Sequence, residues 1–169
     1  METKDWIKNF DERRAGYLSA MKHAGLTPLE EDTVSLRANT EEACIDMEAA
    51  IARRQSLPTA FFADNDTIAL GAMRALKRAG LRIPEDVSVI GFDDIPSCTV
   101  IEPPLTTMRV ECDCIGHVSV CRLLELIKNE GGRAYRLKQD VDTRLIERES
   151  VRTAAERPRD SRVNSTLYL

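Results

Sequence analysis

Helical apolar spacing and short apolar blocks alternate along the chain. In "NFDERRAGYLSAMKHAG", Tyr17, Leu18 and Met21 fall on one face and Ala24 extends it, which predicts a helix. Gly25 then offers a left-handed C-cap residue, with Leu26 as its apolar contact. "DTVSL" predicts a short strand. "TEEACIDMEAAIARR" predicts a second helix, which Asn39 or Thr40 can cap and whose positive start suits Glu41 and Glu42. "PTAFFA" reads as a buried strand between Pro58 and the polar cluster "DND". A third helix, "DTIALGAMRALKRAG", carries small residues (Ala69, Gly71, Ala72, Ala75, Ala79) that allow close packing. "DVSVIGF" is the next strand.

Two exits from helices are alike. "AGLTPLEEDTVSL" and "AGLRIPEDVSVIG" both run helix, Gly-Leu, Pro, Asp, strand. A repeated helix-to-strand unit predicts an α/β fold with a mainly parallel sheet flanked by helices. Beyond the Pro103-Pro104 pair, "PPLTTMRV" reads as extended. A fourth helix spans Asp113 to Lys128, with Val120, Leu123, Leu124 and Ile127 at helical spacing, and Gly131 and Gly132 break it. "TRLIERESV" predicts a last strand, at an edge because of its charges. From Thr153 the pattern is lost, so residues 1–152 read as a domain and 153–169 as a flexible tail.

The chain has 169 residues, 43% apolar and 31% charged, within the range of one globular domain. Apolar runs are too short to cross a bilayer. The start "METKDWIKNFDERR" lacks the basic and apolar blocks of a secretion signal. The expectation is therefore a cytoplasmic protein without membrane contact. A net charge of −4 gives no electrostatic reason to bind nucleic acid directly. Five irregularly spaced cysteines read as reduced thiols in that compartment.

In an open parallel sheet, ligands sit outside the carboxyl ends of the strands. Two strands here end in polar clusters: "AFFA" in Asp64, Asn65 and Asp66, and "VIGF" in Asp93 and Asp94. On a common rim these side chains could hydrogen-bond the hydroxyls of a small polar ligand. Each also has a purely structural reading, since Asn65 or Asp66 can cap the third helix and Asp94 can start a turn before Pro96.

Catalytic signals are weak. The chain holds no G-x-G-x-x-G, no G-x-x-x-x-G-K-[ST] and no G-x-S-x-G. The expectation is a non-enzyme without a cofactor. In "CDCIGHVSVC", Cys114, His117 and Cys121 share one helix face, with Cys112 as a further thiol. The loop-borne C-x-x-C of closed zinc sites is absent, and cysteine is also a common small packing residue, so no metal is expected.

"PTAFFADNDTIALGAMRALKRAGLRIPEDVSVIGFDDIP" followed by "PPLTTMRV" strongly resembles the lactose-repressor/galactose-repressor (LacI/GalR) family of bacterial transcription regulators. "RRAGYLSAMKHAGL" and "TRLIERESV" resemble its flanking segments, so the likeness covers roughly residues 10 to 151. The resemblance implies a type I periplasmic-binding-protein-like core, in which two α/β subdomains enclose an effector cleft, behind a helix-turn-helix that binds DNA. It implies a homodimer, with the helix from Asn65 to Ala79 contributing to its interface. Arg13 matches the arginine of an R-x-x-G segment that reaches the effector, with Gly16 completing the motif. Asn65 matches a polar residue that bonds sugar hydroxyls, and Asp93 matches the first aspartate of G-[YF]-D-D, a further effector contact. Asp94 then falls to local structure. The implied partner is a small-molecule effector, a sugar or related polar metabolite.

Departures from the family pattern set further expectations. The helix-turn-helix and most of one subdomain have no counterpart here, so the fold is expected to be incomplete. DNA binding would require the absent N-terminal part. "ECDCIGHV" differs from the usual stretch after "TTMRV", so effector contacts at Val110 and Cys112 are not carried over. The fourth helix is expected to expose its apolar face, and effector binding by this chain alone to be weak or nil. The alternatives are a stand-alone sugar-binding module or an inactive remnant.

Overall fold

The computed structural model of the protein describes residues 2–3, 8–28, 32–54, 56–128, 137–153 and 163–164. In chain order these form β1 (Glu2–Thr3), α1 (Lys8–His23), β2 (Ser35–Leu36), α2 (Thr40–Arg53), β3 (Leu57–Pro58), β4 (Ala60–Phe62), α3 (Asp66–Arg78), β5 (Ser88–Asp93), β6 (Thr106–Val110), α4 (Cys112–Lys128), β7 (Thr143–Ile146) and β8 (Val163–Asn164). A 3-10 turn covers Pro96–Thr99.

The two Ala-Gly-Leu exits close α1 and α3 in the same way. Gly25 and Gly80 take φ of 72° and 79°. Leu26 N–H donates to the Met21 carbonyl at 2.9 Å, and Leu81 N–H to the Leu76 carbonyl at 3.0 Å. Both are the six-to-one bond of a helix ended by a left-handed residue. At the start of α2 the cap is Asn39 rather than Thr40, its Oδ1 accepting from Glu41 N–H at 2.9 Å. Asn65, not Asp66, caps α3 through Ile68 N–H, also at 2.9 Å.

β4, β5 and β6 run parallel in that order, and β7 pairs antiparallel with β6. Side chains alternate across a strand, so Phe61 and Phe62 face opposite sides of the sheet. Phe61 is buried in the same core as most of α3. Phe62 stacks on Tyr17 of α1, with centroids 6.0 Å apart and planes within 4°. Helices thus lie on both faces, as the α/β reading expects.

α3 sits in the middle of the core, packed on α2 and β5. Gly71 allows the α2 contact, since a Cβ there would lie 2.5 Å from the Thr40 carbonyl oxygen and 2.7 Å from Ala43 Cβ. The rim of that contact is charged, with Arg74 paired to Glu41 and Arg78 to Glu48. Only Arg74, Lys77 and Arg78 of this helix are exposed, a narrow strip for the dimer role that the resemblance implies.

The structure differs from the sequence reading in three places. The "DTVSL" strand is reduced to Ser35–Leu36. "PTAFFA" is split at Thr59 into β3, which pairs with β8, and β4. "TRLIERESV" is a strand only to Ile146, after which the chain crosses to β5. Ser150 makes that crossing: its carbonyl accepts from Val89 N–H, and its hydroxyl donates to the Val89 carbonyl at 2.6 Å and accepts from Thr106 N–H at 2.8 Å. The break expected at Gly131 and Gly132 lies outside the described residues, as does all of the expected tail except Thr153 and β8.

α4 forms as expected, starting one residue earlier, and none of its residues is buried. Ile115, Val120, Leu123, Leu124, Leu126 and Ile127 are all exposed. Among the described residues nothing covers this face.

Candidate functional site

Parallel pairing puts the carboxyl ends of β4, β5 and β6 on one edge of the sheet. The register aligns Phe62 with Ile90 and Asp93 with Arg109, so the segments that follow β4 and β5 emerge side by side. α1 brings Arg13 to this rim. Its Nη1 donates to the Asp64 carbonyl and its Nη2 to Asp93 Oδ1 at 3.0 Å. Its Cζ lies 3.8 Å from the centroid of the Phe92 ring and 5.5 Å from that of Phe10. A guanidinium held over an aromatic ring while bonding a carboxylate is a directional donor.

Arg13 and Asp93 are therefore in direct contact, although 80 positions separate them in the chain. Asn65 stands beside Asp64, whose carbonyl Arg13 holds. Its Oδ1 is taken by the cap of α3, while its amide nitrogen has no protein partner among the described residues. The site thus presents a guanidinium and a carboxylate beside an aromatic ring, with the Asn65 amide next to the carbonyl that Arg13 holds. These groups suit polyhydroxylated or polar ligands. No nucleophile with an adjacent base stands there.

The neighbouring aspartates do different work. Asp93 keeps 36% of its side chain exposed at the rim. Burial pushes its carboxyl above the ordinary value, the Arg13 cation pulls it down, and the negative charge of Asp66 adds to the rise. Asp94 is only 4% exposed and points elsewhere. Its Oδ1 accepts from Arg148 Nη2 at 2.7 Å and its Oδ2 from Arg109 Nε at 2.6 Å. Burial opposes its ionisation, but the bonds from Arg148 and Arg109 outweigh that and hold its carboxyl below the ordinary value.

Asp66, offered by the sequence as a rim side chain or a helix cap, is instead fully buried beneath the rim. Its Oδ2 accepts from Ile95 N–H at 3.0 Å and its Oδ1 from the Thr107 hydroxyl at 2.6 Å. It thereby joins the start of α3 to the turn after β5 and to β6. Sequence reading missed this role, as it missed Phe92, Arg109 and Arg148. The signal for Phe92 was its place directly before the paired aspartates. For the two arginines there was none beyond the need of a second carboxylate for a cation.

Cys112, Cys114, His117 and Cys121 of α4 are all exposed. Cys121 Sγ lies 3.5 Å from His117 Nε2. Cys114 and Cys121, seven residues apart, are separated by about 10 Å along the helix axis, too far for one ion to bond both. Among the described residues no group of three His, Cys, Asp or Glu could hold a metal.

A mainly parallel α/β sheet with polar side chains converging beyond its strand ends has the arrangement at which open α/β proteins bind small molecules. The chain belongs to the periplasmic binding protein-like domain family, whose model matches residues 2–151. The shared region is the effector-binding part of LacI-type regulators, as the motifs led us to expect. One relative is the HTH-type transcriptional repressor PurR of Haemophilus influenzae (strain PittEE), 39% identical over 143 residues, 83% of this chain and 42% of PurR. Among solved structures, the transcriptional regulator CelR in complex with cellobiose is similar with a TM-score of 0.73 at 31% identity, covering 82% of this chain and 42% of CelR. A LacI family transcriptional regulator from Enterococcus faecium with bound ribose is similar with a TM-score of 0.76 at 27% identity, covering 89% of this chain and 54% of that one. The chain thus spans about half the length of the relatives it matches. No helix among the described residues is long and apolar enough to cross a membrane.

Proposed function

We propose that the rim formed by Arg13, Asn65 and Asp93 is one wall of an effector site for a sugar or related polar metabolite, in the sensing part of a LacI-type transcriptional regulator. The carrying observation is the convergence of Arg13 and Asp93 over Phe92 at the strand ends. The cellobiose and ribose bound by two similar regulators support a polyhydroxylated ligand. Such a regulator acts in the cytoplasm, as a homodimer, and makes its contact with DNA through a helix-turn-helix rather than through the effector-binding part matched here. The rim does no chemistry: it carries donors and acceptors without a catalytic base and nucleophile, and needs no cofactor or metal.

One wall buries a ligand less than a closed cleft does, so binding by this chain is weak. Ribose, cellobiose, lactose and a set of nucleosides, each titrated to tens of millimolar, test this by thermal shift. A ligand held only by the folded state raises the melting temperature. We expect at least one compound to do so in the millimolar range, and Asp93→Asn and Arg13→Met each to weaken the response about tenfold or more, as loss of a charged hydrogen bond does. A flat response to every compound, or a shift that survives both substitutions, would leave the chain as an inactive remnant or place its site elsewhere.

A further inference from the structure

Asp93 and Asp94 take φ of 113° and 59°, and they are the only non-glycine residues with positive φ among those described. Two successive residues in this region are unfavourable unless their surroundings hold them there. The two are held in different ways. Asp93 meets Arg13 at an open rim. Asp94 is enclosed by two cations, and one of them is itself tied down. Arg148 Nη1 donates to the Leu105 carbonyl at 2.7 Å and its backbone N–H to Thr106 Oγ1 at 2.9 Å, while Nη2 holds Asp94. Arg109 lies on β6, directly opposite Asp93 in the strand register.

We propose that Asp94 is the positioning residue of the site: clamped by Arg109 and Arg148, it holds the turn in the one conformation that aims Asp93 at Arg13. The proposal rests on reading Arg13 and Asp93 as the effector site. It has a mechanical corollary. β6 leads into α4 and β7 returns from it, and the clamp draws one arginine from β6 and the other from the segment just after β7. A displacement of either strand moves a cation that holds Asp94, and so changes the aim of Asp93. Linkage makes this reciprocal, so a ligand that prefers the aimed form of Asp93 also favours one arrangement of the strands that carry α4.

A titration without ligand decides it. The carboxyl carbon of Asp93 is followed by NMR against pH in the full chain, in the wild type, Arg148→Met and Arg109→Met. The charged groups facing Asp93 are Arg13 and Asp66, with Asp94 adjacent in the chain. Removing a nearby cation acts directly by raising the midpoint of a carboxyl. Releasing the turn into water acts the other way, because burial is the largest influence raising it. The two accounts therefore differ in sign. We expect the midpoint to fall toward the ordinary value, with the far-ultraviolet circular dichroism unchanged. An unchanged or raised midpoint in both variants overturns the proposal. Arg109→Met is the second variant because Arg109 is the more exposed of the pair, and its loss removes one arm of the clamp without touching the Leu105 contact. Since no ligand is involved, a chain that binds no sugar but shows the downward shift would lose the effector reading and keep the positioning role.

Discussion

α3 and α4, of 13 and 17 residues, both carry apolar side chains at helical spacing, yet they end in opposite environments. Most of α3 is buried, including Ile68, Met73 and Leu76 without any exposure, whereas α4 has no buried residue at all. What differs lies opposite each helix. α3 meets α2 across Gly71 and meets β5 beneath it. α4 has no buried residue and lies between β6 and β7 in the chain. An apolar stripe states a demand for burial, and its periodicity is silent about what meets the demand.

Substitutions give this contrast its largest expected effect. Met73→Ala should cost about 2–5 kcal/mol, the range for truncating a fully buried large side chain. Leu124→Ala should stay within about 0.5 kcal/mol, as for an exposed position. Urea denaturation of both variants compares them. A cost at Leu124 near that at Met73 would mean that α4 is covered in solution.

A smaller effect separates how the two helices begin. α3 is capped by Asn65, so Asn65→Ala should lower stability by about 1 kcal/mol in the same assay. The same substitution should weaken any sugar response, because it removes the amide donor as well. A loss of ligand response with unchanged stability would assign the residue to the ligand alone.

The smallest effect concerns the strands that carry α4. A carboxyl whose folded value lies below its unfolded one contributes stability that is fully present above the unfolded value and is lost as pH falls through the folded one. Asp94 is of this kind. Its contribution should be present at neutral pH and disappear on acidification below the ordinary carboxylate range. Asp93, with a raised value, has the opposite sign: its ionisation opposes folding once the pH rises past the unfolded value. Denaturation curves from neutral to acid pH should therefore be flatter for Asp94→Asn than for the wild type. For Asp93→Asn, stability at neutral pH should be held or slightly gained. A wild-type slope in Asp94→Asn would place the acid sensitivity elsewhere.

Local chemistry was legible in the sequence wherever it depended on near neighbours. Gly25 and Gly80 ended their helices as read, Asn39 capped α2, and the strand ends met on one rim because the order of elements allows only a parallel arrangement there. The exposed face of α4 was also foreseen, from its spacing and from a family likeness that covers little of one subdomain. What escaped depended on distance along the chain. Arg148 reaches Asp94 across 54 positions and Thr107 reaches Asp66 across 41. Neither pair has a periodicity to betray it. Arg148 also sits among alternating charges that read as a solvated edge, when its guanidinium is in fact largely enclosed. Asp66 was hidden by its suitability for a cap, a role that the residue before it had taken.

At Gly91, a methyl group would stand 2.1 Å from Asp66 Oδ1 and 3.0 Å from Leu105 Cδ2. The carboxylate occupies the space that any larger residue would need, so the two positions form a matched set of nothing and something. A library randomised at both sites would return glycine at the first whenever an acid is kept at the second. Larger residues would enter there only alongside a shorter partner that gives up its grip on Ile95 and Thr107. Freedom to diversify at this spot is thus spent in pairs, and single-site scanning would report an intolerance whose true owner is the neighbouring acid.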